Sequence, residues 1–477
     1  MRKALAKVCS DEYNKARINR NAKDAVNMRT AVKNNKELMT EGSIFRKILF
    51  FSIPLILGNL LQQLYNTADS IIVGNFVGSN ALAAVGASSS MICLLIAFSQ
   101  GAAVGAGVIV AQYLGAKDKR SVSDAVHTSL MIAGILGIVL TIAGIALSRQ
   151  LLVWMKTPDE VMEPAVTYFR LYSAGMFFGI VYNMTAGTLN AAGNSKRSLL
   201  YLAVASLTNI VLDILFIAIM DMGVAGAAVA TDISQAVSCI LSVLFLMRVK
   251  DSYQVSVKKL RINRQIAGSM IRIGLPAGVQ NMVISLSNVL VQSSVNGFGA
   301  AAMAGYTAYM KIDGFNILPV TSFSMAATTF VGQNYGAGNY DRVKKGIYVT
   351  LAIGFVYTVL TGVLLLMFDD QIMRMFSGDE EVIAYGKLVM KYFCPFYFIL
   401  SILHGLCGAI RGAGKSIPPM VVLLLSLCVF RIFWIWLVVP RFSTIGCIYL
   451  LYPVSWALGA VMIIVYACKA KWLPVGK

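Results

Sequence analysis

Charge is what this chain has least of. Only 13% of its 477 residues are Asp, Glu, Lys or Arg, while 57% are hydrophobic, and an ordinary soluble protein carries about 25% charge. A water-soluble two-domain fold is excluded on that ground. Neither histidine, His127 or His404, has a metal-ligating neighbour, and the eight cysteines form no CxxC pair. The cysteines therefore read as small core residues and the histidines as polar core residues, not as ligands. No HExxH, GxSxG, DxxD or Gly-Lys phosphate loop occurs. No enzyme is expected, and uphill work without an ATP-binding domain must draw on an ion gradient. The polar stretch 1–45 also lacks the apolar core of a signal peptide, so the first helix must direct insertion.

What the chain does have is long apolar runs, each able to cross about 30 Å of hydrocarbon as a helix. Twelve are legible, the first near 48–73 and the last near 446–468. The expected fold is an all-α polytopic membrane protein. The formal charge of +19 does not point to nucleic acid, because the basic residues lie between apolar runs and not on a soluble face. Alternating the connections places roughly 31 Lys and Arg on one side and about four on the other (Arg149, Lys156, Arg374, Arg441). The positive-inside rule then puts both termini in the cytoplasm and the protein in the plasma membrane.

The chain also resembles itself. SIPLILGNLLQQLYN from Ser52 lies over GLPAGVQNMVISLSN from Gly274, matching Pro54 with Pro276 and Asn59 with Asn281. VAQYLGA from Val110 lies over VGQNYGA from Val331, and LNAAGNS from Leu189 over IRGAGKS from Ile410. The offset is nearly constant, so two pseudo-symmetric six-helix bundles of like orientation follow. The implied division is a cytoplasmic tail 1–45, a first bundle 46–250, a linker 251–267, a second bundle 268–470 and a tail 471–477. The early prolines Pro54 and Pro276 each forbid one backbone hydrogen bond and are candidate conformational points.

Four acids fall within the spans: Asp69, Asp213, Asp232 and Asp313. Each costs about 2.5–3.5 kcal/mol at a helix centre, which makes an intramembrane carboxylate a functional hypothesis by default. Counting along the helices puts Asp69, Asp213 and Asp232 in the outer half of the first bundle. Close together in low dielectric they repel, so at least one is expected to hold a proton or share a cation. Asp69 could instead cap the loop at Gly74. Asp313 could serve a second cation or substrate site, or a structural pairing with another helix, and Arg431 could neutralise Asp313 or line the cavity.

The helix-one proline, the run LYNTADSIIVGNFVG, VAQYLGA closing helix two and NxxxD in helix five resemble the multidrug and toxic compound extrusion transporters, from about residue 45 to 470. The resemblance implies that Asp69 and Asp213 couple transport to H+ or Na+. Gln62, Tyr168, Asn209 and Thr231 would complete the polar cluster, with Asp232 adjacent to the last. Asn209 could equally be interhelical glue. Relatives with a second-bundle Na+ site take a glutamate from helix seven, and here that helix has no acid. The only metal implied is Na+ at Asp69 and Asp213, with no cofactor besides the coupling ion. The implied partners are small-molecule organic cations and membrane lipid, handled by a monomer. A flippase for lipid-linked saccharides, from the related superfamily, is the alternative.

Overall fold

The computed structural model describes residues 38–155, 157–442, 444–470 and 472–474, so residues 1–37, with Cys9, and Lys156 lie outside them. Twelve long helices make up the fold, and no strand occurs among the described residues. The first bundle holds α1 (Ile44–Phe76), α2 (Ser79–Gly115), α3 (Lys119–Trp154), α4 (Asp159–Ala191), α5 (Ser195–Ile219) and α6 (Gly223–Arg248). The second holds α7 (Arg264–Asn296), α8 (Ala300–Gly336), α9 (Tyr340–Met367), α10 (Glu380–Gly412), α11 (Ile417–Phe442) and α12 (Ile445–Lys469). Most extend past their apolar runs, because polar caps carry the backbone bonding onward: Asp118 accepts from the N–H groups of Arg120 and Ser121, and Asn263 from those of Gln265 and Ile266.

Ten of these helices are long and apolar enough to cross a membrane. The other two, α4 and α8, have 33 and 37 residues. They are less apolar because they are enclosed by protein: α4 packs on α2, α3 and α6, and α8 on α9, α10 and the first bundle. A helix surrounded by other helices can carry Ser, Thr, Asn and Tyr where a lipid-facing one cannot.

The repeat is written in the backbone as well. Left-handed residues recur in pairs 221 apart: Gly78 and Gly299 opening α2 and α8, Lys117 and Gly338 after those helices, and Gly193 and Gly414 after α4 and α10. A turn that demands positive φ favours glycine, so the turns preserve the internal symmetry better than the lipid-facing residues do.

We call the face where α1 begins and α12 ends basal and its opposite distal. The bundles meet in their basal halves. A methyl group built on Gly101 would stand 2.5 Å from the Gly278 nitrogen, and one on Gly105 would stand 2.3 Å from the Met270 carbonyl oxygen. Two small-residue ridges therefore let α2 and α7 cross backbone to backbone. The repeated Gln–x–x–Gly forms a second crossing that is reciprocal. Gly115 lies against the Gln333 carbonyl and Gly336 against the Gln112 carbonyl, where a methyl would come to 1.8 Å and 1.9 Å. The side chains reach across too, Gln112 Nε2 donating to the Gly412 carbonyl (2.9 Å) and Gln333 Nε2 to the Ala191 carbonyl (2.7 Å).

Of the stretch read as a tail, residues 38–43 belong to this basal seal. Met39 is 1% exposed; its N–H donates to Gln333 Oε1 (2.6 Å), and its carbonyl accepts from Asn334 Nδ2 and Arg342. The connection between bundles is likewise fitted to the first. The Ser256 N–H donates to His127 Nε2 (2.9 Å), the Asn263 N–H to Thr128 Oγ1 (3.0 Å), and Arg261 pairs with Asp124 at 2.8 Å. His127 is thus a buried clip for the connector. Cys239, Cys394, Cys407 and Cys428 are buried as expected, whereas Cys93 and Cys468 are exposed.

Candidate functional site

Polar residues leave the seal along two helices. Asn59 Nδ2 of α1 donates to Ser322 Oγ of α8 (3.1 Å), and distal to that contact Gln62, Gln63, Asn66 and Thr67 are exposed on α1. Exposed amides at membrane depth need water, so these side chains line a cleft that opens distally between the bundles.

Beside it lies an acidic cluster. On α1, Gln62, Tyr65 and Asp69 share one face at steps of three and seven residues, and on α5 Asn209 and Asp213 are one turn apart. Asp213 is fully buried and Asp69 is 8% exposed. The two carboxylates are close enough for their charges to interact, and the Tyr65 and Tyr168 hydroxyls each sit within range of both. The Gln62 side chain lies next to the Tyr65 hydroxyl, and Asn209 Nδ2 donates to Thr231 Oγ1 at 3.4 Å. The structure thereby brings Asp69, Asp213, Gln62, Tyr168, Asn209 and Thr231 into one neighbourhood. Asp69 lies within α1, which continues to Phe76, and is not a cap.

The cluster is rich in acceptors and poor in donors. Both Asp213 oxygens, Asp69 Oδ1 and Asn209 Oδ1 are buried with no protein donor. A buried acceptor left without a partner costs about 1–3 kcal/mol. A proton shared between the acids, or a hard cation such as Na+ whose ligands are oxygens, fits this donor set. No group of three His, Cys, Asp or Glu that could hold a metal occurs among the described residues.

Asp232 stands apart from the pair, contrary to the expected trio. Its carboxylate packs against the backbone of Gly175 with Oδ1 buried and without a protein donor, and it lies beside Tyr172 of α4, whose hydroxyl receives Gln235 Nε2 at 3.3 Å. Thr231 and Asp232 are about 100° apart around α6, so when Thr231 turns to α5 the acid turns to α4. Pro54 and Pro276 both lie inside unbroken helices, Pro276 between the two glycines that meet α2.

The second bundle has a different polar centre. Asp313 Oδ1 accepts from the Tyr397 hydroxyl of α10, which also pairs with Tyr309, while the Tyr306 and Tyr452 hydroxyls pair at 2.6 Å. Arg431, 3% exposed, stacks over the Tyr452 ring at 4.3 Å and donates to Ser455 Oγ and Asn288 Oδ1, each at 3.1 Å. It forms no ion pair with Asp313; tyrosines separate them. Both fifth helices contain a π-helical turn, Ile214–Ile219 directly after Asp213 and Leu425–Val429 just before Arg431. The same helix of the repeat thus carries opposite charge in the two bundles.

Tyr397→Phe should leave Asp313 Oδ1 without its donor and lower stability by about 1–3 kcal/mol. The drop in thermal midpoint in detergent should shrink when Asp313→Asn is already present, because the two side chains are directly coupled. Equal drops in both backgrounds would contradict the pairing.

Sequence reasoning passed over Tyr65, Tyr172 and Gln235. Tyr65 carried a usable signal, since it sits one turn before Asp69 on the same helical face.

The MatE family model matches residues 54–215 and again 276–437, one match for each bundle. The probable multidrug resistance protein YpnP of Bacillus subtilis is 30% identical over 392 residues, covering 82% of this chain and 88% of that one. The probable multidrug resistance protein NorM of Thermotoga maritima is 26% identical, covering 82% and 84%. A crystal structure of MATE in the straight conformation superposes with a TM-score of 0.85 at 24% identity, covering 90% of this chain and 96% of that one. An outward-facing multidrug resistance MATE transporter of the MOP superfamily gives 0.84 at 24% identity over the same shares. With the family model matching both halves and a relative at 30% identity, this chain belongs to the MatE family of multi-pass membrane transporters.

Proposed function

We propose that the protein is a secondary active exporter of lipophilic organic cations, exchanging them for H+ or Na+ across the plasma membrane by alternating access. The observation that carries this reading is the Asp69–Asp213 pair, buried beside the distal cleft with acceptor oxygens that no protein donor meets. The relatives named for multidrug resistance support the substrate class. The basic connections favour a cytoplasmic basal face, which makes the cleft an outward-facing one.

Loading the pair with a proton or Na+ removes the repulsion between its carboxylates. The gain is a differential one, since only the state that holds the acids together feels it, so loading shifts the population between states. Pro54, which leaves the Phe50 carbonyl without its helical donor, is where α1 can repack. Residues 46–250 and 268–470 would then rock against each other within a monomer, joined through 251–267. The saccharide flippase is the weaker reading, because a typical member of that group has fourteen helices and a basic cavity.

The test is ethidium export from energised membrane vesicles with the pH and sodium gradients imposed one at a time. Export driven by at least one gradient and abolished by collapsing it is expected. Export indifferent to both would refute the coupling.

A further inference from the structure

The basal seal contains one part that can let go without unravelling a helix. Residues 38–43 precede α1 and consist of turns and bends only, yet two cations grip their carbonyls. Arg342, in the first turn of α9, donates to the Met39 carbonyl (3.1 Å) and to the Gly42 carbonyl (2.8 Å), and Lys47 Nζ of α1 donates to the Leu38 carbonyl (2.8 Å). Gly42, at φ +81°, makes the turn that lets both carbonyls reach one guanidinium.

This strap also crosses the seam between the bundles. It is continuous with α1, which packs on α5 of the first bundle, but its anchors Gln333, Asn334 and Arg342 belong to α8 and α9 of the second. Met39 joins Ile48, Phe51 and Leu55 of α1 in the same hydrophobic cluster as Phe330, Val343 and Ile410 of the second bundle. Gln333, fully buried, completes the joint: its Oε1 takes the Met39 N–H while its Nε2 donates to Ala191 of the first bundle. Each of these contacts joins parts that separate if the basal side opens. On opening, the carbonyls of an irregular segment exchange their cationic donors for water, so release breaks no helical ladder. The contacts exist only while the seam is shut, and they favour that state alone.

We propose that residues 38–43 are the clasp of a basal gate: docked, they weight the protein toward its distally open state, and they undock in each cycle as the basal side opens. This rests on the alternating-access reading given above. One helix carries the clasp at its foot and Asp69 beyond Pro54, so the helix that holds the coupling acid is also the one that draws Met39 from its socket.

Pulsed EPR distances on the full-length protein in lipid nanodiscs read the clasp without requiring transport. In a background without the native cysteines, one spin-label pair at Lys119→Cys and Lys415→Cys spans the basal seam, and another at Trp154→Cys and Met375→Cys spans the distal ends; all four positions are exposed. The wild-type basal pair should be mostly short. Arg342→Gln, which loosens two carbonyls, and Met39→Ser, which removes the buried side chain, should each raise the ratio of long to short basal distances about tenfold or more, the worth of one charge-assisted bond or one buried apolar side chain. The distal distance should shorten in step. Lys344→Gln, on the same helix but exposed and paired with Asp341 (3.9 Å), should change the ratio less than about twofold. Unchanged basal distances in both Arg342→Gln and Met39→Ser, or an equal shift in Lys344→Gln, would overturn the clasp. Basal opening in the two clasp variants with the distal distance fixed would leave the clasp standing and sink the rocking of the bundles.

Discussion

Asp213→Asn is expected to reduce ion-driven ethidium efflux to the background of cells lacking the protein, while the chain still reaches the membrane at wild-type level. Asparagine keeps the shape of the side chain and removes the group that can take up and release a proton or oppose Na+. The substitution is structurally mild because neither Asp213 oxygen has a protein partner to lose. Aspartate at full burial is the costly residue of the two, so Asp213→Asn should leave stability unchanged or raise it. Efflux and stability moving in opposite directions separates a coupling role from a structural one. Asp69→Asn should impair efflux less completely, since Asp69 is less enclosed and has only one orphaned oxygen. Wild-type efflux from Asp213→Asn would end the coupling argument.

Gly115→Ala and Gly336→Ala should have the same large effect as each other, although 221 residues separate them. Each added methyl meets a backbone carbonyl oxygen of the other helix, at 1.8 Å from Gln333 and 1.9 Å from Gln112. Carbonyls in rigid helices cannot turn aside as a flexible side chain would, so the crossing must part. Over-packing of this kind costs about 1–3 kcal/mol even where neighbours can shift, which is already a roughly fivefold to 150-fold change in a two-state ratio. A cysteine placed at Met39, in a background without the native cysteines, reports the result. It should resist maleimide from the basal side with glycine at both positions and react at least tenfold faster with either alanine. Unchanged labelling would show that the seal does not depend on this crossing.

Much of the fold could be read from the residues. Gly, Pro and Gln recur at one offset where turns and crossings need them, so the two bundles were visible before any contact was known. The helix ends fell short because apolar runs stop at the edge of the hydrocarbon, while caps such as Asp118 and Asn263 carry the helix further. At the site, depth was legible and azimuth was not. Residue counting put Asp232 level with Asp213, but only packing says which way α6 is turned, and that turns Asp232 against Gly175. The burial of Met39 was hidden for a related reason: it depends on where one bundle meets the other, and no local pattern encodes that.

The connector that docks on α3 has a further consequence. Pinned through Ser256, Arg261 and Asn263 to His127, Asp124 and Thr128, it is part of the first bundle's surface up to the residue that caps α7. The covalent joint between the halves is therefore not a slack cord of some fifteen residues but a single short pivot at the foot of α7. Any relative travel is concentrated there and at the glycine crossings, and it is largest at the distal ends, farthest from that foot, on the side where Asp69 and Asp213 stand.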